Sequence, residues 1–429
     1  MTASILKTSL PEIQQLHSPA SELYDSLPIR GQNVRILTLL PGLLSEPVTC
    51  SLTVRSLKDL DAKDMSQLSL AQSHLILFEA LSYAWGEADY THPIICNDYS
   101  LAITSSLYSA LLHLRYESRP RLLWIDQICI NQFDVIERNS QLRNVGRIYK
   151  LAQNAIAWLG DESPESTRLM KILRDNGWRE PREYGYSDRF CFLHVTDQIN
   201  SLLRRPWFQR VWVRQEVALA QEISVHCGGF SVPMPALKRS LAFIAHNQTQ
   251  WGLELMDEHS CAVASGLDTG WARSGTHGLL DLLNEHRIYE ATDPYDKAYG
   301  LLGMANDNFV DMLDADYEKP VVEVFENLAK FFINRDGDLD VIYAAEGQLP
   351  RLSTWQLKLP SWVPDWTAKV AAPSLLGKRI VNDAFYDNRI LFGHNRLMSG
   401  PNHQRNYIIY SAETCRNFLS DHKEYFTLF

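Results

Sequence analysis

The sequence predicts an α/β fold: a doubly wound, mainly parallel sheet over residues 75–228, followed by a mostly α-helical C-terminal region. Two observations carry this. Between Leu75 and Cys227, short apolar runs alternate with stretches whose apolar residues recur at helical spacing, and strands separated by helices require parallel crossovers. Beyond residue 230 the strand-like runs give way to helical stripes.

Taken in order, residues 1–33 are polar and mixed and form a lead-in. Residues 35–40 are the first apolar run, a strand. A turn at Pro41-Gly42 lets residues 48–54 pair with it, and residues 58–72 are a polar loop. Residues 75–83 are the first core strand, broken at Trp85-Gly86. Leu107, Ala110, Leu111 and Leu114 mark a helix with Thr104 or Ser105 as its N-cap. Residues 122–125 are a buried strand that ends in the carboxylate of Asp126. Asp134 and Glu137 form a capping-box-like pair opening a helix whose stripe is Leu142, Val145, Tyr149 and Ala152. Residues 155–159 are the next strand, ending at Gly160. A helix near 166–173 precedes an Arg/Asp/Gly/Tyr-rich loop. Pro206 then opens a single helix with the stripe Phe208, Val211, Trp212, Gln215 and Leu219, and residues 223–227 close the series as a strand. Helical stripes follow over 235–246, 276–289, 294–304 and 320–334. Residues 360–366 make a rigid aromatic turn, and the pattern weakens from 369. The expected division is an α/β domain over 34–230, a helical region over 231–368 and a tail over 369–429.

With 429 residues, 45% of them hydrophobic and 21% charged, the chain can bury a real core and is long enough for two or three domains. A net charge of −10 without a long basic run argues against general affinity for nucleic acid or anionic membrane. Seven dispersed cysteines with no Cys-x-x-Cys pair fit a reducing compartment. No apolar run is long enough to span a bilayer, and the N-terminus lacks a signal-peptide core, so a cytoplasmic location is expected. Glycine-rich dinucleotide and phosphate loops, His-Glu-x-x-His and Gly-x-Ser-x-Gly are all absent. That argues against ordinary dehydrogenases, NTPases, zinc hydrolases and α/β-hydrolases. The scattered histidines show no metal-ligand spacing.

In doubly wound sheets ligands sit outside the carboxyl ends of the strands, where Ser82, Tyr83, Trp85, Gly86 and Asp126–Gln132 fall. Gly86 permits close backbone approach to a ligand. Trp85 can stack on a planar ring of a ligand, or simply plug a tight turn. Asp126 can orient a ribose, or cap the following loop with Asn131, Gln132 and Asp134. Arg205, Arg210 and Arg214 can bind phosphates, although an exposed helix face explains Arg214 equally well. Trp158, Trp207 and Trp212 are expected in the core, and Cys129 as a small buried hydrophobe.

Three blocks in one order carry a resemblance. They are Phe78-Glu-Ala-Leu-Ser-Tyr-Ala-Trp-Gly86; Leu123-Trp-Ile-Asp-Gln-Ile-Cys-Ile-Asn-Gln132, running on to Ala157-Trp-Leu-Gly160; and Arg205-Pro-Trp-Phe-Gln-Arg-Val-Trp-Val-Arg-Gln-Glu-Val217. Together they resemble the fungal heterokaryon-incompatibility (HET) domain. Asp293-Pro-Tyr-Asp-Lys-Ala-Tyr-Gly-Leu-Leu-Gly303 and Leu359-Pro-Ser-Trp-Val-Pro-Asp-Trp366 resemble segments common downstream of it. The resemblance implies a role in non-self recognition and regulated cell death, with self-association or another cell-death protein as partner. HET domains are in turn remotely similar to TIR domains, which implies a TIR/flavodoxin-like sheet. Some TIR domains cleave NAD at the nicotinamide–ribose bond with a glutamate four positions after a Trp on a helix. Trp212-Val-Arg-Gln-Glu216 has that spacing. The implied catalytic residue is therefore Glu216. Ser82, Tyr83, Trp85, Gly86, Asp126, Asn131, Arg210 and Trp212 would shape the pocket, with NAD as substrate rather than cofactor. On residues alone Glu216 reads first as a partner of Arg210 or Arg214 on an exposed face, and the resemblance brings the catalytic reading level with it. The alternative to an enzyme is a non-enzymatic interaction module that triggers death by assembly.

Overall fold

The computed structural model describes residues 19–61, 77–176, 188–251, 256–267, 278–305, 316–336, 340–345, 355 and 357–369. The lead-in before residue 19 and the tail after 369 lie outside them. The chain forms two compact units, Met1–Glu162 with Ala220–Phe230, and Ser163–Leu219 with Ser231–Phe429. Residues 163–219, expected within the α/β domain, therefore group with those after 230.

The strands are β1 (Asn33–Leu39), β2 (Thr49–Ser56), β3 (Glu79–Tyr83), β4 (His92–Cys96), β5 (Tyr99–Ile103), β6 (Arg121–Trp124), β7 (Asn154–Trp158), β8 (Ile223–Cys227) and β9 (Phe230–Pro233). They form one sheet in the order β5-β4-β2-β1-β6-β3-β7-β8-β9. β3 runs parallel to β6 and β7, and β7 runs parallel to β8. In the order β6-β3-β7-β8 the chain runs outward in both directions from β3, so a topological switch point lies between β3 and β7. The sheet as a whole is mixed. β1 is antiparallel to β2 and β6, β2 is parallel to β4, and β4 is antiparallel to β5. The β4–β5 hairpin was not expected. It turns on Asn97 (φ 47) and Asp98 (φ 67), both left-handed, as a two-residue hairpin loop requires. The Asn97 side chain also ties the turn to the Leu52 backbone through hydrogen bonds of 2.8 and 3.2 Å.

The helices of this unit are α1 (Pro19–Ser26), α2 (Ser105–Leu114), α3 (Asp126–Cys129) and α4 (Val135–Leu151). α2 and α4 cover opposite sheet faces. The His113 ring of α2 lies 5.3 Å from Trp158, and Tyr149 of α4 meets Trp124 edge-on at 5.9 Å. Trp158 shares the face of Glu79, whereas Trp124 pairs with Ala80, which points the other way. Thr104 caps α2 at Leu107 N, as expected.

Asp134 caps α4 through the N–H groups of Ile136 (2.9 Å) and Glu137 (3.0 Å). Glu137 does not complete the capping box. Its carboxylate instead accepts from Asn131 N at 2.6 Å and pairs bidentately with Arg35 at 2.6 and 3.0 Å. Arg35 is buried and also donates to Leu27 O (2.8 Å) and Cys129 O (3.1 Å). Tyr24 of α1 lies under its guanidinium and donates to Ile128 O at 3.0 Å. The lead-in therefore contains a docked helix. Cys129 is buried, and burial pushes its thiol up to about 12, in keeping with a packing role.

The second unit is helical: α5 (Pro164–Asn176), α6 (Asp188–Leu203), α7 (Pro206–Gln209), α8 (Val213–Leu219), α9 (Met234–Trp251), α10 (Glu258–Gly266), α11 (Leu279–Glu285), α12 (Asp296–Tyr299), α13 (Val321–Asp336) and α14 (Asp340–Tyr343). The helix expected after Pro206 is broken between α7 and α8. There Val211 N donates to Glu290 O at 2.9 Å and Glu290 N donates to Gln209 O at 2.6 Å. A bridge to the 290 region has replaced helical hydrogen bonds. Trp366 of the aromatic turn is fully buried and packs edge-on against Phe325 at 5.1 Å. Among the described residues no helix is long and apolar enough to cross a membrane.

Candidate functional site

Trp85 and Gly86 follow the carboxyl end of β3, Asp126 that of β6, and Gly160 and Asp161 that of β7. Gly86 (φ +73) and Gly160 (φ +94) adopt left-handed backbones that other residues rarely take. They let the chain turn sharply off the sheet beside the switch point. The structure brings Trp85 and Asp126 together: the indole N–H donates to Asp126 Oδ2 at 2.9 Å. Asp126 Oδ1 accepts from Gln127 N at 2.7 Å, and its carbonyl accepts from Gln132 Nε2 at 2.8 Å. The carboxylate is thus both a loop builder and a half-buried acceptor beside an aromatic ring.

The N-terminus of α2 borders this crevice. Asp89 accepts from Ser105 N at 3.1 Å and from the Ser105 hydroxyl, and these hydrogen bonds hold its carboxyl below the usual range. Ser106 Oγ donates to Ala84 O at 2.7 Å, and Gln127 Oε1 accepts from Thr104 N at 3.3 Å. Tyr90 stands nearby, its phenol raised by burial and by the charge of Asp126. Tyr90 and Asp89 carried no motif signal, because their roles come from tertiary contact, and Gln127 lay within the second block without being singled out.

Ser82 and Tyr83 lie inside β3, only 2% and 1% exposed, in register with Ala157 and Trp158. Asn131 builds its loop, its Oδ1 accepting from Phe133 N at 3.2 Å. On the α2 face of the sheet, Glu79 pairs with Arg121 at 2.5 Å and accepts from Asn154 at 3.0 Å. Asn154 also donates to Ser224, whose Oγ lies 3.0 Å from His226 Nε2. Burial pushes His226 down to about 4, with the charge of Arg121 acting in the same direction and Glu79 opposing. Among the described residues no cluster of His, Cys, Asp or Glu is placed to hold a metal ion.

Arg210, Trp212 and Glu216 belong to the second unit. Glu216 sits on α8, where its N–H donates to Trp212 O at 3.2 Å, so the four-residue spacing is helical. The exposed-face reading fails, because Glu216 is 6% and Arg214 1% exposed. α8 is too short and too enclosed to keep a solvent face there. Trp158 and Trp207 are core residues as expected, whereas Trp212 is only half-buried. Gln215 accepts from Gly303 N at 2.7 Å. A side chain at Gly300 would meet Asp296 O at 2.8 Å and the Trp212 ring at 3.4 Å.

The segment 293–303, marked by a helical stripe and by resemblance, thus supplies packing for α8. It also supplies a carboxylate missed as a site residue. Burial pushes Asp296 up to about 6, against the pull of Tyr317, Trp212 and Arg210. The Tyr317 hydroxyl donates to Asp296 Oδ1 at 2.6 Å.

Residues 78–216 match the family model described as heterokaryon incompatibility protein (HET), which runs from the edge of β3 to Glu216 of α8. The chain is 27% identical over 370 residues to heterokaryon incompatibility protein 6, OR allele, of Neurospora crassa, with 68% of this chain and 53% of that protein covered. It therefore spans about half the length of the curated relative it matches. No solved structure matches the chain. Residues 78–216 are thus matched to the HET domain family, and the wider chain is similar to a heterokaryon incompatibility protein.

Proposed function

We propose that this protein signals in heterokaryon incompatibility, within fungal non-self recognition and regulated cell death, and that it acts by TIR-like hydrolysis of NAD at the nicotinamide–ribose bond. The observation that carries this reading is the β6-β3-β7-β8 order with Trp85 and Asp126 joined at its carboxyl edge, where such folds bind nucleotides. The Trp85 ring offers a stacking surface, Asp126 an acceptor for a ribose hydroxyl, and Gly86 close backbone approach. Arg210 and Trp212 are assigned to binding. The buried carboxylate of Glu216 is assigned to stabilising the oxocarbenium-like transition state. In the reaction the C1′–N bond breaks, and its electron pair leaves with neutral nicotinamide. Water adds to C1′ and releases a proton, giving ADP-ribose.

The exposure of Phe133 (72%) and Ile136 (81%) at the start of α4 favours a second reading, in which this surface assembles with a partner and no turnover occurs. The test is nicotinamide release by the purified full chain beside Glu216→Gln, with folding checked by circular dichroism. The enzyme reading expects turnover in the parent and a loss of at least ~10²-fold in the folded variant. A parent that kills on expression yet releases no nicotinamide, together with an equally toxic Glu216→Gln, would leave the assembly module as the answer.

A further inference from the structure

Arg214 is 1% exposed on α8. Its guanidinium stacks 4.2 Å over the Tyr289 ring, and Nη1 donates to the Tyr289 hydroxyl at 3.2 Å. Nε and Nη2, the two donors along the other edge, have no hydrogen-bond partner. Among the described residues no carboxylate is within ion-pair distance of this cation. A buried guanidinium with its side-on fork unused is strongly unfavourable, since neither solvent nor a counter-charge compensates it. The C-terminal end of α10 supplies at most a partial negative charge nearby.

Two further cations, Lys297 and Arg287, lie beside Tyr289, and Asp365 and Glu290 oppose their charge. Lys297 is buried and donates to Arg287 O at 3.0 Å and to Tyr289 O. Arg287, itself 3% exposed, lies two residues before Tyr289. Burial pushes Lys297 down to about 8 and Arg287 down to about 10. Gly266 closes the other side: a Cβ there would collide with the Tyr289 hydroxyl and come within 3.0 Å of Arg214 Nη1.

We infer that Arg214, stacked on Tyr289, is the recognition residue of an oxyanion site in the second unit, which takes a phosphate or carboxylate group through the Nε/Nη2 edge of its guanidinium. Two donors on one planar edge match two oxygens of such a group, a geometry lysine cannot offer. Arg214 shares α8 with Glu216, two residues away, but the inference rests on the Arg214 donors and its test reads binding rather than NAD turnover.

Thermal unfolding of the full chain tests this in chloride, inorganic phosphate and acetate at equal ionic strength, for the parent, Arg214→Met and Arg214→Lys. A ligand that binds only the folded state raises Tm with its concentration. The parent should rise with an oxyanion beyond chloride. Arg214→Met should show no such rise, and Arg214→Lys should need about tenfold more ligand. A rise with phosphate alone assigns a phosphate group, and an equal rise with acetate assigns a carboxylate. Equal rises in parent and Arg214→Lys overturn the inference, even where Arg214→Met fails to fold. So does a parent indifferent to both oxyanions.

Discussion

Arg35 and Arg214 are each 1% exposed, one in each unit, and each rests on a tyrosine ring, but their donors are in opposite states. Arg35 donates to two carbonyls and both oxygens of Glu137, and it rests on Tyr24. Arg214 rests on Tyr289 with one hydrogen bond and an idle edge. Burial alone therefore says little about what a charged residue is for. The state of its donors separates a cation that holds a loop in place from one that faces an absent partner.

The largest way to break this contrast is Glu137→Ala, which would leave Arg35 with its two carbonyl partners but no counter-charge and also remove the acceptor of Asn131 N. Loss of one partner of a buried pair should cost about 3–5 kcal/mol, read from the denaturant midpoint. A cost near zero would mean that Arg35 is not held by this pair.

A second, smaller effect concerns His226, which folding keeps neutral. Its folded pKa, about 4, lies below its ordinary value. The unfolded chain therefore binds the proton first as pH falls. The stability is fully present above about pH 6.5 and is lost toward pH 4, by up to ~3 kcal/mol. His226→Gln should flatten that slope, and an unchanged slope would move the titration elsewhere. Smallest is Trp85→Phe, which removes the N–H donor to Asp126 and should lower stability by roughly 1–2 kcal/mol. A neutral result would mean that the indole hydrogen bond does not hold the crevice.

Much of the first unit could be read from residues. β7 is a continuous apolar run and β8 an alternating one, each followed by glycine, and Trp85 and Asp126 stand out because each follows an apolar run. β4 and β5 escaped because exposed and buried residues alternate along them and Ile95 is 43% exposed. No continuous apolar run marks them. In the second unit, helical spacing correctly placed Trp212 and Glu216 one turn apart. It gave no hint that α8 is enclosed by Gly266, Tyr289, Gly300 and Gly303, fifty or more positions later. Arg214 therefore looked like a surface residue. The Asp296–Tyr317 contact joins residues 21 apart in sequence, beyond the reach of local periodicity.

The return of the chain at Ala220 to supply β8 has a consequence for protein synthesis. Through all the time needed to make residues 163–219, the nascent sheet ends at β7 with its outer backbone donors and acceptors bare. Any product stopped in that interval carries an open, apolar strand margin (Ala155, Ile156, Ala157) that β8 would otherwise cover. Incomplete chains should therefore be the species that chaperones must hold and that clump first. An artificial shortcut from Glu162 to Ala220 would need a linker of about a dozen residues to carry the chain back for a parallel strand.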